Sequence, residues 1–407
     1  MAIKVALPAT YCVPWRRGGP SLSFASQPQS QPRIRQDNLT SGARLGKTSK
    51  GIASPNIRDH GQVGAFLISN RSLEPGERIT AETSPKDQRI RTPSPPTVSV
   101  VICAYTADRW NQLLGAIHSV QNQTTQATEI IVVADHELEL YNRLKTAVGS
   151  TVTVLENRQR QGLSGARNTG MAAARGEIVA FLDDDAEAAP DWLAALVEGY
   201  DDPTVFGTGG LVEPLWPRAA PEFPSEFYWV IGCSYTGMPT TRTFIRNMIG
   251  ANMSFRRQAV NNAGGFKDGI GRVGQRPVGC EETELCIRIR QAWPQGRVLY
   301  EPRAVVHHHV PSSRLEWRYF VARCYSEGIS KALLCRLGGA EDGLSSERSY
   351  VLRALPRGFI RGITDGLARA DRGGFVRSAW IAGGLLATVT GYIVGSTTLK
   401  LQRSLDA

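Results

Sequence analysis

The sequence has no C-x-x-C pair. Its seven cysteines (Cys12, Cys103, Cys233, Cys280, Cys286, Cys324 and Cys335) are odd in number and scattered. That excludes a disulfide framework and a cysteine-built zinc site, and it points to a reducing compartment. Behind Met1 there is no sustained apolar stretch, because Pro14, Arg16 and Arg17 interrupt it early, so no signal peptide is expected. The formal charge of +10 asks for an anionic partner. The basic residues are dispersed, however, and carry no nucleic-acid-binding motif. Nucleic acid is therefore set aside in favour of an anionic small molecule or a membrane surface.

What is present falls into three parts. Residues 1–95 are rich in Ser, Pro, Gln, Gly and Arg and bury too little apolar surface to offset chain entropy. This basic region is expected to be largely disordered, with one strand-like island from Val63 to Asn70 and a TPSPP linker at its end. Residues 96–311 alternate strand and helix signals. VSVVICAY, EIIVVAD, TVTVLEN and EIVAFLDDD are β-branched apolar runs of the buried parallel kind. Between them lie helical patterns, including RWNQLLGAIHSVQNQ. This alternation predicts an α/β fold with a mostly parallel, doubly wound sheet. The stretch after DWLAALVEGY reads as irregular, RVLYEP and AVVHHHV as strand-like. Residues 312–407 read as a helical C-terminal region whose uncharged segment 378–399 is about long enough to span a bilayer. A buried helix, a span and a surface anchor all remain open for it.

Four groups of residues carry chemistry. Asp183, Asp184 and Asp185 close a buried strand, and ligands of open α/β sheets bind beyond the carboxyl ends of strands. Alternation along an extended chain would aim Asp183 and Asp185 the same way. Three like charges there call for a cation such as Mg²⁺ or Mn²⁺, although Asp185 capping the next helix is a competing reading. Gly162 to Gly170 begin a helix of small residues whose N-terminus attracts phosphate. Within it Arg167 either contacts a diphosphate or pairs with an aspartate. Glu281, Glu282 and Glu284 crowd the first turn of a helix, where acids serve the helix dipole or general-base catalysis. His307, His308 and His309 follow a strand, so at most two of them share a face.

In this order the motifs resemble the inverting family-2 glycosyltransferases of the GT-A fold. The likeness runs from Val98 to Pro311 through VSVVICAYTADRW, EIIVVADHE, GLSGARNTGMAAARGEIVAFLDDDA, GANMSFRR…CEETELCIRIR and YEPRAVVHHHVP. It implies a Rossmann-like GT-A domain and a nucleotide-diphosphate sugar donor, a UDP-sugar being favoured. Tyr105, Thr106 and Asp135 would hold base and ribose. Gly162, Arg167 and Asp184 would complete the donor site, with Arg167 facing the diphosphate. Asp183, Asp185 and His308 would bind Mn²⁺ or Mg²⁺, and Glu282 would be the base, with Glu281 or Glu284 as substitutes. Two departures stand out: Glu281-Glu282 replaces the family's usual Glu-Asp, and Ala134-Asp135 replaces its acid pair. The Q-x-x-R-W mark of processive members is missing, so a single sugar addition is expected. The acceptor would be a hydroxyl on a lipid-linked or cell-surface glycan precursor, reached at the cytoplasmic face of a membrane. A sugar nucleotidyltransferase and a non-catalytic carbohydrate-binding or membrane scaffold are the alternatives.

Overall fold

The computed structural model describes residues 95–217, 222–268, 270, 279–338 and 347–406. The expected disorder of residues 1–95 and the island at Val63 fall, except for Pro95, outside the described residues.

Four strands begin the fold, and each is the apolar run read above: β1 (Val98–Ala104), β2 (Glu129–Ala134), β3 (Val152–Glu156) and β4 (Ile178–Asp183). They pair in parallel in the order β3-β2-β1-β4. Helices α1 (Trp110–Gln121), α2 (Leu138–Ala147) and α3 (Leu163–Ala173) make the crossovers. In α1, Leu113, Ala116, Ile117 and Val120 form one buried stripe at helical spacing. Side-chain alternation sends Val100 and Ile102 to one face of the sheet, against α1 and α2. It sends Val101 to the other face, against Ala166 and Met171 of α3. Both faces are covered, as a parallel sheet requires.

The sheet then continues past the run of parallel strands. A three-residue strand β5 (Ala186–Ala188) and helix α4 (Trp192–Glu198) follow, then β6 (Val205–Leu215), β7 (Thr243–Ile245) and β8 (Asn252–Arg256). Strand β8 lies antiparallel between β4 and β6, and β9 (Arg297–His309) runs parallel to β6. Strands β5 and β7 flank β9 antiparallel. Most strands thus share one direction, and the exceptions sit in the second half.

The stretch read as irregular after α4 contains the eleven-residue strand β6. Its glycines hid it, and they are there for close approach. A Cβ on Gly210 would stand 1.9 Å from the Ala304 carbonyl oxygen. Likewise RVLYEP and AVVHHHV are one continuous strand, β9, with register shifts against β6 at Val205/Gly207 and Gly210/Leu211. Asn252 sits beside the second shift, fully buried. Its amide donates to the carbonyls of Leu211 and Ala304 at 2.9 and 2.8 Å, and its oxygen accepts from Trp192 Nε1 at 2.8 Å.

Helix α5 (Arg257–Asn262) leads towards α6 (Glu281–Ala292), and α7 (Trp317–Gly338), α8 (Leu355–Ala368) and α9 (Arg372–Asp406) make the helical C-terminal region. They share a third core with the segment Phe223–Cys233, built on Phe227, Phe320 and Ile381. Phe320 packs edge-on to Phe223 and Trp380 at 5.6 and 4.7 Å. Segment 378–399 lies inside α9. Its glycines lower its apolarity but let α7 and α9 pack backbone to backbone, since a Cβ on Gly391 would meet the Tyr325 carbonyl at 2.0 Å. The apolar stretch of α9, Arg372–Thr398, is long enough to cross a membrane, and 28% of an 18-residue apolar window within it is buried inside the protein.

Candidate active site

The carboxyl ends of β1, β2 and β4 open onto a cavity of about 420 Å³. Its wall includes Tyr105, Arg109, Asp135, Arg167, Asp183, Asp184, Asp185, Glu281, Glu282, His308 and Arg314. Of the residues read from the sequence, Thr106, Gly162, Glu284, His307 and His309 stand outside this wall. Thr106 caps the turn Ala107–Arg109, its Oγ1 accepting from the Asp108 N–H at 3.2 Å. Gly162, at a φ of 127°, precedes α3 and donates its N–H to Asp135 Oδ2 at 2.9 Å. Asp135 also accepts from Asn157 Nδ2 at 2.6 Å. Its carboxylate is therefore fixed in place before any ligand arrives.

The acid triplet folds differently from the extended chain expected for it. Strand β4 ends at Asp183, and Asp184 and Asp185 form a turn into β5, so alternation does not govern where they point. Register brings in the histidine instead, because β5 pairs with β9 so that Ala186 lies opposite His308. The His309 N–H donates to the Asp185 carbonyl at 2.8 Å. Asp183, Asp185 and His308 each offer a ligand atom, all within 4.8 Å of one another. The neighbouring histidines face elsewhere: His307 lies 3.5 Å from Glu213, and His309 2.9 Å from Glu187.

Two arginines without a role in the sequence reading hold this cluster. Arg109 Nη1 lies 2.9 Å from Asp184 Oδ1 and 2.8 Å from Asp185 Oδ2, and Arg314 Nη2 lies 3.6 Å from the latter. Burial penalises the Asp185 carboxylate, yet His308, Arg109 and Arg314 outweigh it and hold its pKa far below the usual range. In Asp184 burial prevails, helped by the charge of Asp185, and pushes the carboxyl up to about 7. Asp184 Oδ2 is buried with no hydrogen-bond partner. A hard set of two carboxylates and an imidazole, with an orphaned carboxylate oxygen beside it, fits a divalent cation such as Mn²⁺ or Mg²⁺. The signal for Arg109 was available: three acids at a strand end need counter-charge, and Arg109 is the first base after β1.

Across the cavity, α6 starts at Glu281. Arg167, buried to 2% exposure, places Nη1 2.6 Å from Glu281 Oε1 and Nη2 3.6 Å from Asp183 Oδ1. Nη2 also donates to the Gly250 carbonyl at 3.1 Å. Arg167 thus ties the acid cluster to the start of α6, the pairing that the sequence left open. Glu284 is turned away and engaged by Arg288 and Lys267 at 2.6 and 2.8 Å. That leaves Glu282, whose Oε1 accepts from Thr283 Oγ1 at 3.1 Å. Burial and the adjacent charge of Glu281 push its carboxyl up to about 7. A carboxyl poised near neutrality in a cavity wall is suited to proton transfer.

Comparison with known proteins agrees with this geometry. The profile of "Glycosyl transferase family 2" matches residues 99–264. The chain is 35% identical over 241 residues to a glucosyl-dolichyl phosphate glucuronosyltransferase of Haloferax volcanii, spanning 58% of this chain and 77% of that protein. It is 25% identical over 270 residues to the succinoglycan biosynthesis protein ExoM of Rhizobium meliloti, spanning 64% and 82%. A mannosyltransferase of Pyrobaculum calidifontis, solved with GDP-Man and Mn²⁺, superposes at a TM-score of 0.45 with 19% identity, over 72% of this chain and 87% of that one. That last likeness is too distant to transfer geometry. The ordered motifs, the acid–imidazole cluster facing Glu282, and the haloarchaeal relative lead to one conclusion: the chain belongs to glycosyl transferase family 2 and is a hexosyltransferase.

Proposed function

We propose that the protein transfers a single sugar from a nucleotide-diphosphate sugar, a UDP-sugar being favoured, to a hydroxyl of a lipid-linked acceptor by metal-dependent inverting displacement. The observation that carries this reading is the cavity itself, with Asp183, Asp185 and His308 in one wall and Glu282 in another. The glucosyl-dolichyl phosphate named for the haloarchaeal relative supports a lipid-linked acceptor.

In this reading Asp183, Asp185 and His308 hold Mn²⁺ or Mg²⁺, which supplies positive charge to the departing nucleoside diphosphate. Tyr105 and Asp135 border the donor at the ends of β1 and β2. Arg109 and Arg314 fix the cluster, so its charges need no reorganisation as the reaction proceeds. Arg167 holds Glu281 and lends its charge to the diphosphate side of the cavity. Glu282 removes the acceptor's proton as the hydroxyl oxygen attacks the anomeric carbon and the sugar–phosphate bond breaks. Such general-base assistance is worth about 10²–10⁴ in rate.

The C-terminal helices suit a membrane-facing site at the cytoplasmic surface. This region exposes Leu352, Ile360, Leu367 and Leu386 by 60–74% and also exposes Arg353, Arg357, Arg361 and Arg369, a composition that suits an interfacial surface. The test is a panel of UDP-, GDP- and TDP-sugars with Mn²⁺, Mg²⁺ or EDTA, on wild type, Asp185→Ala and Glu282→Gln. One nucleotide should bind only with metal, and its release should fail in both variants. Full turnover by Asp185→Ala would refute the metal site.

A further inference from the structure

We propose that Arg323 of α7 is the anion-binding residue of an acceptor subsite, taking the phosphate that links a sugar to a hydrocarbon chain. This rests on the transferase reading above and adds to it a residue and a chemical group.

Arg323, Glu327 and Lys331 lie at i, i+4 and i+8 on α7, with side chains only 13–14% exposed, and all three line the cavity. Arg323 Nη1 stands 2.8 Å from Glu327 Oε2, and Lys331 Nζ 3.4 Å from Glu327 Oε1. Two cations share this one carboxylate, and Glu327 stays ionised, held down to about 2 by Arg323 and Lys331 against its burial. The pair with Glu327 engages one nitrogen of the Arg323 fork. Among the described residues, its Nε and Nη2 meet no hydrogen-bond acceptor, although the guanidinium lies at the cavity wall and 5.5 Å over the ring of Trp229. A fork fixed on one side by an ion pair and from below by an aromatic face is preorganised for a phosphate oxygen.

Its place in the cavity says which phosphate. Cys280, two residues before Glu282, has its Sγ 3.4 Å from Glu327 Oε1, so the charged group adjoins the start of α6. On its other side Trp229 Nε1 donates to Tyr350 Oη at 3.0 Å, and Val351, Leu355 and Leu385 continue the same wall. Along the wall the chemistry runs from the Glu282 carboxyl, through a cation, to an apolar lining. A sugar joined through phosphate to a hydrocarbon chain has its hydroxyl, anion and apolar parts in that order. The acid cluster at the end of β4 is joined to Glu281, the neighbour of Glu282, by Arg167 rather than by Arg323.

The test is calorimetric binding of decyl phosphate, decyl β-glucoside and inorganic phosphate to the full-length protein. EDTA is present throughout, so that no cation at the acid cluster recruits phosphate. Wild type should prefer decyl phosphate, and Arg323→Gln should weaken it about tenfold or more while leaving decyl β-glucoside unchanged. Arg323→Lys keeps the charge and the Glu327 pair but loses the fork. It should weaken decyl phosphate severalfold, and it carries the test if Arg323→Gln does not fold. Equal decyl phosphate binding by wild type and Arg323→Lys overturns the assignment. So does inorganic phosphate binding as tightly as decyl phosphate, which would mark a site for the free ion. Failure of the transferase reading shows separately, as wild-type protein that binds no nucleotide sugar with Mn²⁺.

Discussion

Replacing Glu281 by Gln should move the pH dependence of the reaction in a direction the structure dictates. Glu282 must be ionised to accept a proton, and its carboxyl is pushed from 4.5 up to about 7, first by burial and next by the charge of Glu281. The wild-type kcat/KM should therefore rise with pH and level off above about 7. In Glu281→Gln the repulsion disappears, and Arg167, no longer neutralised at 2.6 Å, acts more strongly on Glu282. Unit charges about 6 Å apart at an effective dielectric near 20 interact by about 3 kcal/mol, an upper bound of roughly two pKa units. Burial is the larger cause, so a fall of roughly 1–2 units is expected, carrying the acid limb towards 5–6. Initial rates with saturating metal between pH 5 and 9 read this directly. The stability sign follows from the same shift. A carboxyl that binds its proton more tightly when folded stabilises the protein least at high pH. Its contribution falls as pH rises from about 4.5 to about 7, by on the order of 3 kcal/mol in total. Glu282→Gln should remove that slope from denaturant-derived stability. An acid limb that stays put in Glu281→Gln, or moves upward, would refute the assignment of Glu282.

Three further outcomes follow. Mn²⁺ should raise the melting temperature of wild type, and Asp185→Ala or His308→Ala should abolish that rise, read by thermal shift with and without EDTA. Phe320→Ala, at the centre of the third core, should lower unfolding free energy by about 3–5 kcal/mol in denaturant titration; a loss under 1 kcal/mol would mean that the C-terminal helices do not share that core. Replacing Leu352, Ile360 and Leu386 by Ser should reduce co-flotation with anionic liposomes while leaving the melting temperature within a few degrees, since all three are exposed. Undiminished flotation would remove this surface as the contact.

The first half of the fold was legible because buried parallel strands are continuous apolar runs and α1 shows a clear stripe. Strand β6 was not, since VFGTGGLVEPL carries three glycines that read as a loop until the carbonyl of Ala304 is seen pressed against Gly210. The donor-side acids were visible in DDD and in the histidine triplet. Which histidine turns inward depends on pairing of β5 with β9, a long-range register that local sequence does not encode. Arg314 and Arg323 escaped for a similar reason: single basic residues in ordinary-looking segments gain meaning only from what the fold sets beside them, whereas Arg109 was readable as counter-charge to the acid triplet. Arg323 did leave a trace, as an R-x₃-E-x₃-K ladder within an apolar helix.

The register shift between β6 and β9 at Gly210/Leu211 lies just upstream of His308. A strand that gains or loses one residue at such a shift slides everything downstream by one position. Deleting a residue there would carry His309 into the place opposite Ala186, and inserting one would carry His307 there. In either alignment an imidazole would still face Asp185, although the same slide would turn the buried Val306 and Val310 away from the core. Homologues with a changed bulge could keep the same ligand chemistry while drawing it from a different member of the triplet.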